Sequence, residues 1–412
     1  MKPRILQVVD SFHQGGTERQ AVQLTRMLHE TGRYIVHVAC LTDEGILKAD
    51  VERLGLEPIH AFPTISFYHP STGAQLVRFV RTLRRLKIDL VHTHDFYTNI
   101  LGMAAATLAR VSARIASRRE TDPNRTAAQR WVERRAFGAA HQVVVNADAI
   151  GADLIALGVP AAKIRTVYNG LDPARFPVIA AGSRADRLRA LGISPRHRQV
   201  VTILANLRLT LKDHPTFLRA AALVYAAARD TAFVVAGEGP LLEPLRQLVS
   251  DLGLSDCVYF TGRCENVGDL LSVSDVGVLS STSEGFPNVL VEYMAAGLAV
   301  VTTAVGGAAE AVRDGWTGFV VAPRDEKAMA GRILHLLNRP DEARIMGTRG
   351  RAIAWDQFSC AAQLAAVEQL YDRLLARRFV SRDYPSERSE RRPESDAAPE
   401  DIARRPAASR AS

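Results

Sequence analysis

The chain has four cysteines in 412 residues, and no two stand in a CxxC pair. Cys40, Cys257, Cys264 and Cys360 lie far apart, which excludes a disulfide framework and the common zinc modules and predicts free thiols in a reducing cytoplasm. Long apolar runs are also missing. Nothing approaches the ~18 uninterrupted apolar residues of a spanning helix. The first residues, MKPRILQVVDSF, break their apolar run at Asp10 and carry no small-residue cleavage site. They read as a first strand and not as a secretory signal. Aromatic residues are 6% of the chain, and few of them stand within its arginine-rich stretches, which argues against nucleic acid as a partner. There is no Asp-x-Asp motif, and the only glycine turn after an early strand lacks the third glycine of a dinucleotide fingerprint.

What is present is ordinary globular composition, 47% apolar and 23% charged, in a chain long enough for two domains. The formal charge is +8. Residues 381–412 hold seven arginines and seven acidic residues, so the excess lies in the rest of the chain. A basic globular body points to anionic company: the phosphates of a nucleotide or acidic lipid head groups.

Short β-branched runs alternate with amphipathic stretches. Ile5–Val9, Val36–Leu41, Leu90–His92, Ile115–Ser117 and Gln142–Val145 predict buried strands, with helices over Thr17–His29 and Thr72–Leu86. A pause at Asn169–Pro195 reads as a linker. The alternation then restarts with strands at Val200–Ala205, Ala232–Ala236, Val258–Phe260, Val276–Leu279 and Ala299–Thr303. Helices are expected over Pro215–Ala227, Leu241–Leu252 and Pro287–Ala296. A last helix is predicted over Trp355–Arg378 and a disordered tail over 381–412, where apolar surface is too scarce to offset ordering entropy. The expected fold class is therefore α/β, with parallel-sheet domains at 1–175 and 195–354 whose carboxyl strand ends meet at a cleft.

The unusual residues fall in loops after strands. In His13-Gln-Gly-Gly-Thr-Glu-Arg19, Gly15 and Gly16 would let backbone approach a phosphate at a helix start. In VHTHD, His92 and His94 lie on one strand face. They could form a metal pair, but the further ligands a metallohydrolase needs are not placed. The reading adopted is His94 hydrogen-bonding a sugar hydroxyl or backbone, with His92 packed. Arg208 and Lys212 are close enough in sequence to share a diphosphate. Gly237, in Val235-Ala-Gly-Glu-Gly-Pro240, would let a nucleotide lie over bare backbone. The most specific segment is Ser283-Glu-Gly-Phe-Pro-Asn-Val-Leu-Val-Glu292. Eight helical residues span about 12 Å, so Glu284 and Glu292 cannot serve one atom, but they can hold opposite ends of an extended ligand. The amides of 288–290 would cap a phosphate between them.

Together these motifs, followed by AAGLAVV, GG-x-x-E and DG-x-TG, resemble the retaining glycosyltransferases of GT-B family 4, the group 1 transferases, over nearly all of residues 1–378. The resemblance implies two Rossmann-like domains facing across a cleft, with the last helix crossing back to the first. It implies a nucleotide-sugar donor, no metal and no cofactor. Gly15 and Gly16 would line the phosphate site, with His94 near the transferred sugar. Arg208 and Lys212 would neutralise the diphosphate, Glu284 would hold the sugar and Glu292 the ribose. Gly237, Arg263, Gly285, Phe286, Asn288, Val289 and Leu290 would complete the donor pocket. The usual Gly-Arg of the diphosphate loop is Asn206-Leu-Arg208 here. The acceptor is expected to be a lipid-linked glycan, polysaccharide or other envelope glycan at the first domain. Arg118, Arg119 and Arg125 form a cluster there that suits an anionic group.

A GT-B epimerase and a non-catalytic sugar-nucleotide-binding protein are the competing readings. The helix at Leu76–Leu86 carries an apolar stripe and five nearby basic residues, so it could dock peripherally on anionic membrane at the cytoplasmic face. The same stripe fits an ordinary helix covering the first sheet. A monomer or weak dimer is expected.

Overall fold

The computed structural model describes residues 2–382 except 14, 65–68, 122–124, 176–181 and 265. The expected tail lies almost wholly outside the described residues. The strands are β1 Arg4–Val9, β2 Ile35–Cys40, β3 His60–Ala61, β4 Leu90–Thr93, β5 Ala113–Arg118, β6 Gln142–Val145 and β7 Ile164–Thr166 in one sheet. In the other they are β8 Gln199–Leu204, β9 Thr231–Ala236, β10 Val258–Gly262, β11 Val276–Leu279, β12 Ala299–Thr303 and β13 Gly318–Val321. The orders are β3-β2-β1-β4-β5-β6-β7 and β10-β9-β8-β11-β12-β13, and the pairings are parallel. Strands buried on both faces by helices read as near-continuous apolar runs, which is why β1 and β9 were legible. The edge strands β3 and β7 are two and three residues long, too short for any periodicity, and were not anticipated.

Strand order reverses between β1 and β4 in the first sheet and between β8 and β11 in the second. Loops leave such a switch point in opposite directions and open a crevice at the carboxyl ends. The four loops concerned are the His13–Arg19 turn after β1, His94 after β4, Arg208–Lys212 after β8 and Ser281–Pro287 after β11. The fold thus collects the motifs singled out in the sequence at two facing crevices.

Two expectations change. The anticipated single terminal helix is two. Pro340–Gln357 stays with the second domain, and Cys360–Arg382 begins after Ser359, whose hydroxyl accepts from Ala362 N at 3.2 Å. That second helix lays Val367, Leu370, Tyr371 and Leu374 against Ile5, Leu24, Leu28 and Val36 of the first domain, so the chain does cross back. The start of the supposed linker is also not loose. Asn169 is buried, and the Gly170 carbonyl accepts from Gln20 and Gln23 at 3.0 and 2.9 Å. A side chain at Gly170 would press on Gln363 and Cys360.

Candidate functional site

Between the sheets lies a cleft of about 980 Å³. Its second-domain wall starts at Gly277 in β11. A Cβ there would strike the Tyr293 ring, so glycine lets the helix Asn288–Ala295 seat deeply. Tyr293 Oη then accepts from Leu204 N at 2.7 Å and donates to Val278 O at 3.2 Å, tying that helix to β8 and β11. No side chain caps its start at Pro287, so amides at its first turn remain open to an anion. Leu290 departs from its expected place: its side chain is buried in the core and its amide already donates to Pro287 O at 3.0 Å. It does not line the cleft. Glu292 does, at 5% exposure.

Glu284 sits in the loop before that helix. Its Oε1 receives Lys212 Nζ and Ser281 Oγ, both at 2.6 Å. The Lys212 and Glu284 side chains are 21% and 12% exposed, so the charges are held together but open to the cleft. Lys212 is placed by a short turn, Thr210–Lys212, and Ser280 Oγ donates to its carbonyl at 2.8 Å. Arg208 is different. It is 68% exposed and 3.7 Å from Glu238, a rim cation free to swing. Gly237 and Arg263 line the cleft beside it, and a Cβ at Gly237 would overlap the Ala205 carbonyl. Glycine is required there for packing of the two loops.

The first domain holds the Glu284 loop from the other side. Thr121 Oγ1 lies 2.7 Å from Ser283 Oγ and donates to Glu284 O at 3.2 Å. Gly285 lies so close to the Arg119 carbonyl that a Cβ would overlap it. Asn169 Nδ2 donates to Asn288 Oδ1 at 2.8 Å while its own Oδ1 accepts from Arg119 at 2.8 Å. The GG-x-x-E turn supports this from beneath: Gly307 N donates to Gly285 O at 2.7 Å. Glu310 accepts from Asp148 N and Ala149 N, both at 2.8 Å, capping a first-domain helix from the second domain. The sequence marks that turn only as part of the family pattern and gives no sign of Glu310 as an interdomain pin. A lone glutamate after two glycines carries no mark of a partner 160 residues away.

Gly15, Gly16, Phe286, Asn288 and Val289 line the cleft as expected. The Gly15–Gly16 turn, however, already has an anion over it. The Glu18 carboxylate lies against Gly15, where a Cβ would overlap it, and accepts from its own amide at the start of the helix Gly16–Glu30. Burial nevertheless raises its pKa.

His94 lies outside the large cleft. It lines a second cavity of about 330 Å³ that shares Gly15, Gly16, Thr17, Glu18, Arg119 and Glu120 with the first. Gln7 Nε2 donates to Tyr371 Oη at 2.9 Å, so Gln7 Oε1 faces His94 Nε2 at 2.8 Å, and that nitrogen carries the proton. Nδ1 is left as an acceptor with no partner among the described residues. His92 is packed, as read, between Tyr371 Oη at 2.8 Å and Ser117 Oγ at 2.7 Å. Burial pulls its pKa down to about 3 and that of His94 well below the usual value, so both are neutral imidazoles at physiological pH. Among the described residues, the one grouping of three metal-competent side chains, His37, Glu57 and His60, lines neither cavity.

The arginine cluster is not what its spacing implied. Arg118 and Arg125 both pair with buried Glu133, and Arg125 also meets Glu120 at 3.0 Å. Only Arg119 reaches both cavities with no carboxylate partner among the described residues; burial lowers its pKa to about 10, so it stays charged. The candidate membrane stripe is likewise used internally. Phe79 and Leu83 are in the core and Leu76, Val80 and Leu86 pack on it, while Arg78, Arg81, Arg84, Arg85 and Lys87 are exposed. No helix among the described residues is long and apolar enough to cross a membrane.

Comparison with known proteins follows the same division into two halves. Residues 14–175 match the model of Glycosyltransferase Family 4, and residues 198–339 that of Glycosyl transferases group 1. The chain is 31% identical over 212 residues to N-acetyl-alpha-D-glucosaminyl L-malate synthase of Bacillus anthracis, covering 52% of this chain and 54% of that one. This match thus spans about half the relative's length. It is 30% identical over 310 residues to D-inositol 3-phosphate glycosyltransferase 2 of Catenulispora acidiphila, covering 69% and 70%. In fold it is similar to Anabaena HepE solved with UDP, with a TM-score of 0.79 at 22% identity over 90% of this chain and all of that one. A glycosyltransferase from Rickettsia africae gives 0.81 at 18% identity, covering 91% and 99%. Two facing parallel-sheet domains, a crossing terminal helix and both matched halves place this chain in the group 1, family 4 glycosyltransferases of GT-B fold.

Proposed function

We propose that the chain transfers a sugar from a UDP- or GDP-sugar to a hydroxyl of a glycan or lipid-linked glycan, with retention of anomeric configuration and without a metal. The observation that carries this reading is the Lys212–Glu284 pair, 2.6 Å apart at the cleft, one helix start away from buried Glu292. A diphosphate laid on the open amides of that helix start would meet Lys212, with Arg208 swinging in from the rim. Glu284 would then face the sugar and Glu292 the ribose hydroxyls. Relatives named for GDP-mannose and a structural neighbour solved with UDP-glucose support a nucleotide sugar.

In the reaction, the anomeric C–O bond to the β-phosphate breaks as an oxocarbenium-like sugar forms. The acceptor oxygen attacks from the same face, and its proton passes to the departing phosphate oxygen. Positive charge on the diphosphate lowers this barrier most, because it is fixed where negative charge develops. Lys212, Arg208 and the helix start supply it. Glu284 positions the sugar hydroxyls, and neutral His94 contributes an acceptor nitrogen near the transferred sugar. Residues 1–175 are taken as the acceptor-side unit and 195–354 as the donor-side unit. The exposed arginines beside Leu86 would allow peripheral contact with anionic lipid at the cytoplasmic face.

The test is a thermal-shift panel of UDP, GDP, ADP and their sugars, followed by transfer with and without EDTA and NMR assignment of the product anomer. A true ligand at 100 times its dissociation constant adds about 2.7 kcal/mol of stability. Retention in EDTA is expected. An inverted product or EDTA-abolished transfer would remove the corresponding part, and conversion of donor alone to an epimer would replace the whole.

A further inference from the structure

The second cavity differs from the donor cleft in what remains unpaired on its walls. Arg118 and Arg125 spend their charge on Glu133 and Glu120. Asp10, Glu18 and Asp95 line the same cavity, and among the described residues none of them forms an ion pair with a lysine or arginine, although His13 lies close enough to Asp10 and Glu18 to offset part of their charge. Arg119 is the remaining cation, on the side shared with the donor cleft. His94, 1% exposed, brings an unpartnered Nδ1 to this wall. Tyr97 stands in the same cavity and is 46% exposed, while its neighbour Phe96 lies under the Arg125 guanidinium at 4.5 Å.

Carboxylates accept hydrogen bonds and repel anions, an exposed aromatic ring stacks on the C–H face of a sugar, and a neutral imidazole nitrogen accepts from a hydroxyl. We infer that this cavity seats the acceptor and that Asp10, Asp95 and Tyr97 select a neutral or amino-bearing sugar ring against a phosphorylated or carboxylated acceptor. The inference rests on the transferase reading above and narrows its acceptor. It also sets this chain apart from relatives whose names contain L-malate or inositol 3-phosphate, both anions. The arginine cluster that would have favoured an anion is neutralised from within. Burial raises the pKa of Asp10 and Asp95, consistent with a cavity that already holds more negative charge than it can solvate.

The experiment uses the full chain with its thermal-shift-selected donor at about pH 8.5, above the Asp95 pKa of about 7 so that this carboxylate is charged, and reads nucleotide release. The acceptors are octyl β-glucoside, octyl β-galactoside and octyl β-glucosaminide, against glucose 6-phosphate, inositol 3-phosphate and malate. At least one glycoside is expected to raise release above the acceptor-free rate and to exceed every anionic acceptor by roughly tenfold or more, since like charges across an interface strongly suppress wrong partners. Asp10→Asn with Asp95→Asn should narrow that ratio several-fold. Tyr97→Ala should raise the glycoside KM. Neither change should alter the thermal shift given by UDP or GDP, because none of these three residues lines the donor cleft. Preference for an anionic acceptor, no response to any glycoside, or an unchanged ratio in the double variant overturns the inference. A preserved nucleotide shift in any of those cases leaves the donor reading standing, and its loss in the wild type removes that reading instead.

Discussion

The two banks of this cleft are charged in opposite ways although they come from the same kind of sheet and the same kind of switch point. The second domain offers Lys212, Arg208 and an uncapped helix start. The first covers its corresponding helix start with the Glu18 carboxylate, caps the helix Phe96–Leu108 with Asp95, and pairs two of the three arginines of the second cavity internally. One bank is built to receive an anion and the other to exclude one. The same backbone device can hold a ligand or reject it, depending on whether the chain supplies its own carboxylate.

The comparison is broken most severely at the anion-receiving bank. Lys212→Ala and Glu284→Ala are each expected to cut transfer by about 10²–10³-fold, as loss of a preorganised charge or positioning group does. Single-turnover transfer with the selected donor measures this. A nearly unaltered rate in either variant would detach the pair from the chemistry. Next comes the seam between the banks. Gly285→Ala forces a Cβ into the Arg119 carbonyl, so the loop carrying Glu284 must shift. A misplacement near 1 Å costs about 10²-fold in rate, and kcat should fall while the isolated nucleotide still binds. Arg208→Ala is milder. This residue is exposed on the rim, so an effect of about tenfold is expected, shrinking as salt screens it. A salt-independent loss would mean that Arg208 closes onto the ligand and becomes buried there.

Much of this was legible. Strands buried on both faces announce themselves as apolar runs, and β1, β6, β11 and β12 lie within a residue of their expected spans. The motif residues Lys212, Glu284 and Glu292 stand at the cleft because each follows a strand at a switch point, and alternation of strand and helix reveals that order. What could not be read was pairing. Spacing puts Arg118, Arg119 and Arg125 together but says nothing of Glu133, which lies one helix further on and neutralises two of them. Leu290 was assigned an open amide by its position in a helix start, yet a turn bond to Pro287 claims it. Asn169 looked like linker because Asn-Gly is a turn signal, and only the tertiary fold makes it a bridge between Arg119 and Asn288. Pairings decided by tertiary placement, whether 8 residues apart as in Arg125–Glu133 or 119 as in Asn169–Asn288, leave no periodic trace.

The smallest expected effect probes the anion-excluding bank through stability. Asp95 keeps part of its surface open to the second cavity but lies deep below the molecular surface. That desolvation, with Asp10 and Glu18 adding like charge against the favourable bonds from Thr98, raises its pKa from 3.8 to about 7. Arg118, Arg119, Arg125, Glu120 and Glu133 face the same cavity. Between those two pKa values the folded protein holds a proton that the unfolded chain has released. Stability is therefore highest below the unfolded value and declines as pH rises toward about 7. Asp95→Asn keeps the side-chain oxygen that accepts from Thr98 N and remains a good helix cap, but it has no charge to bury. The variant should melt a few degrees above the wild type at pH 8, and that gain should be clearly smaller at pH 5, in scans at matched ionic strength. An equal gap at both values would mean that Asp95 is ionised and well solvated throughout. The first-domain bank would then be an ordinary hydrated surface and not a cavity short of positive charge.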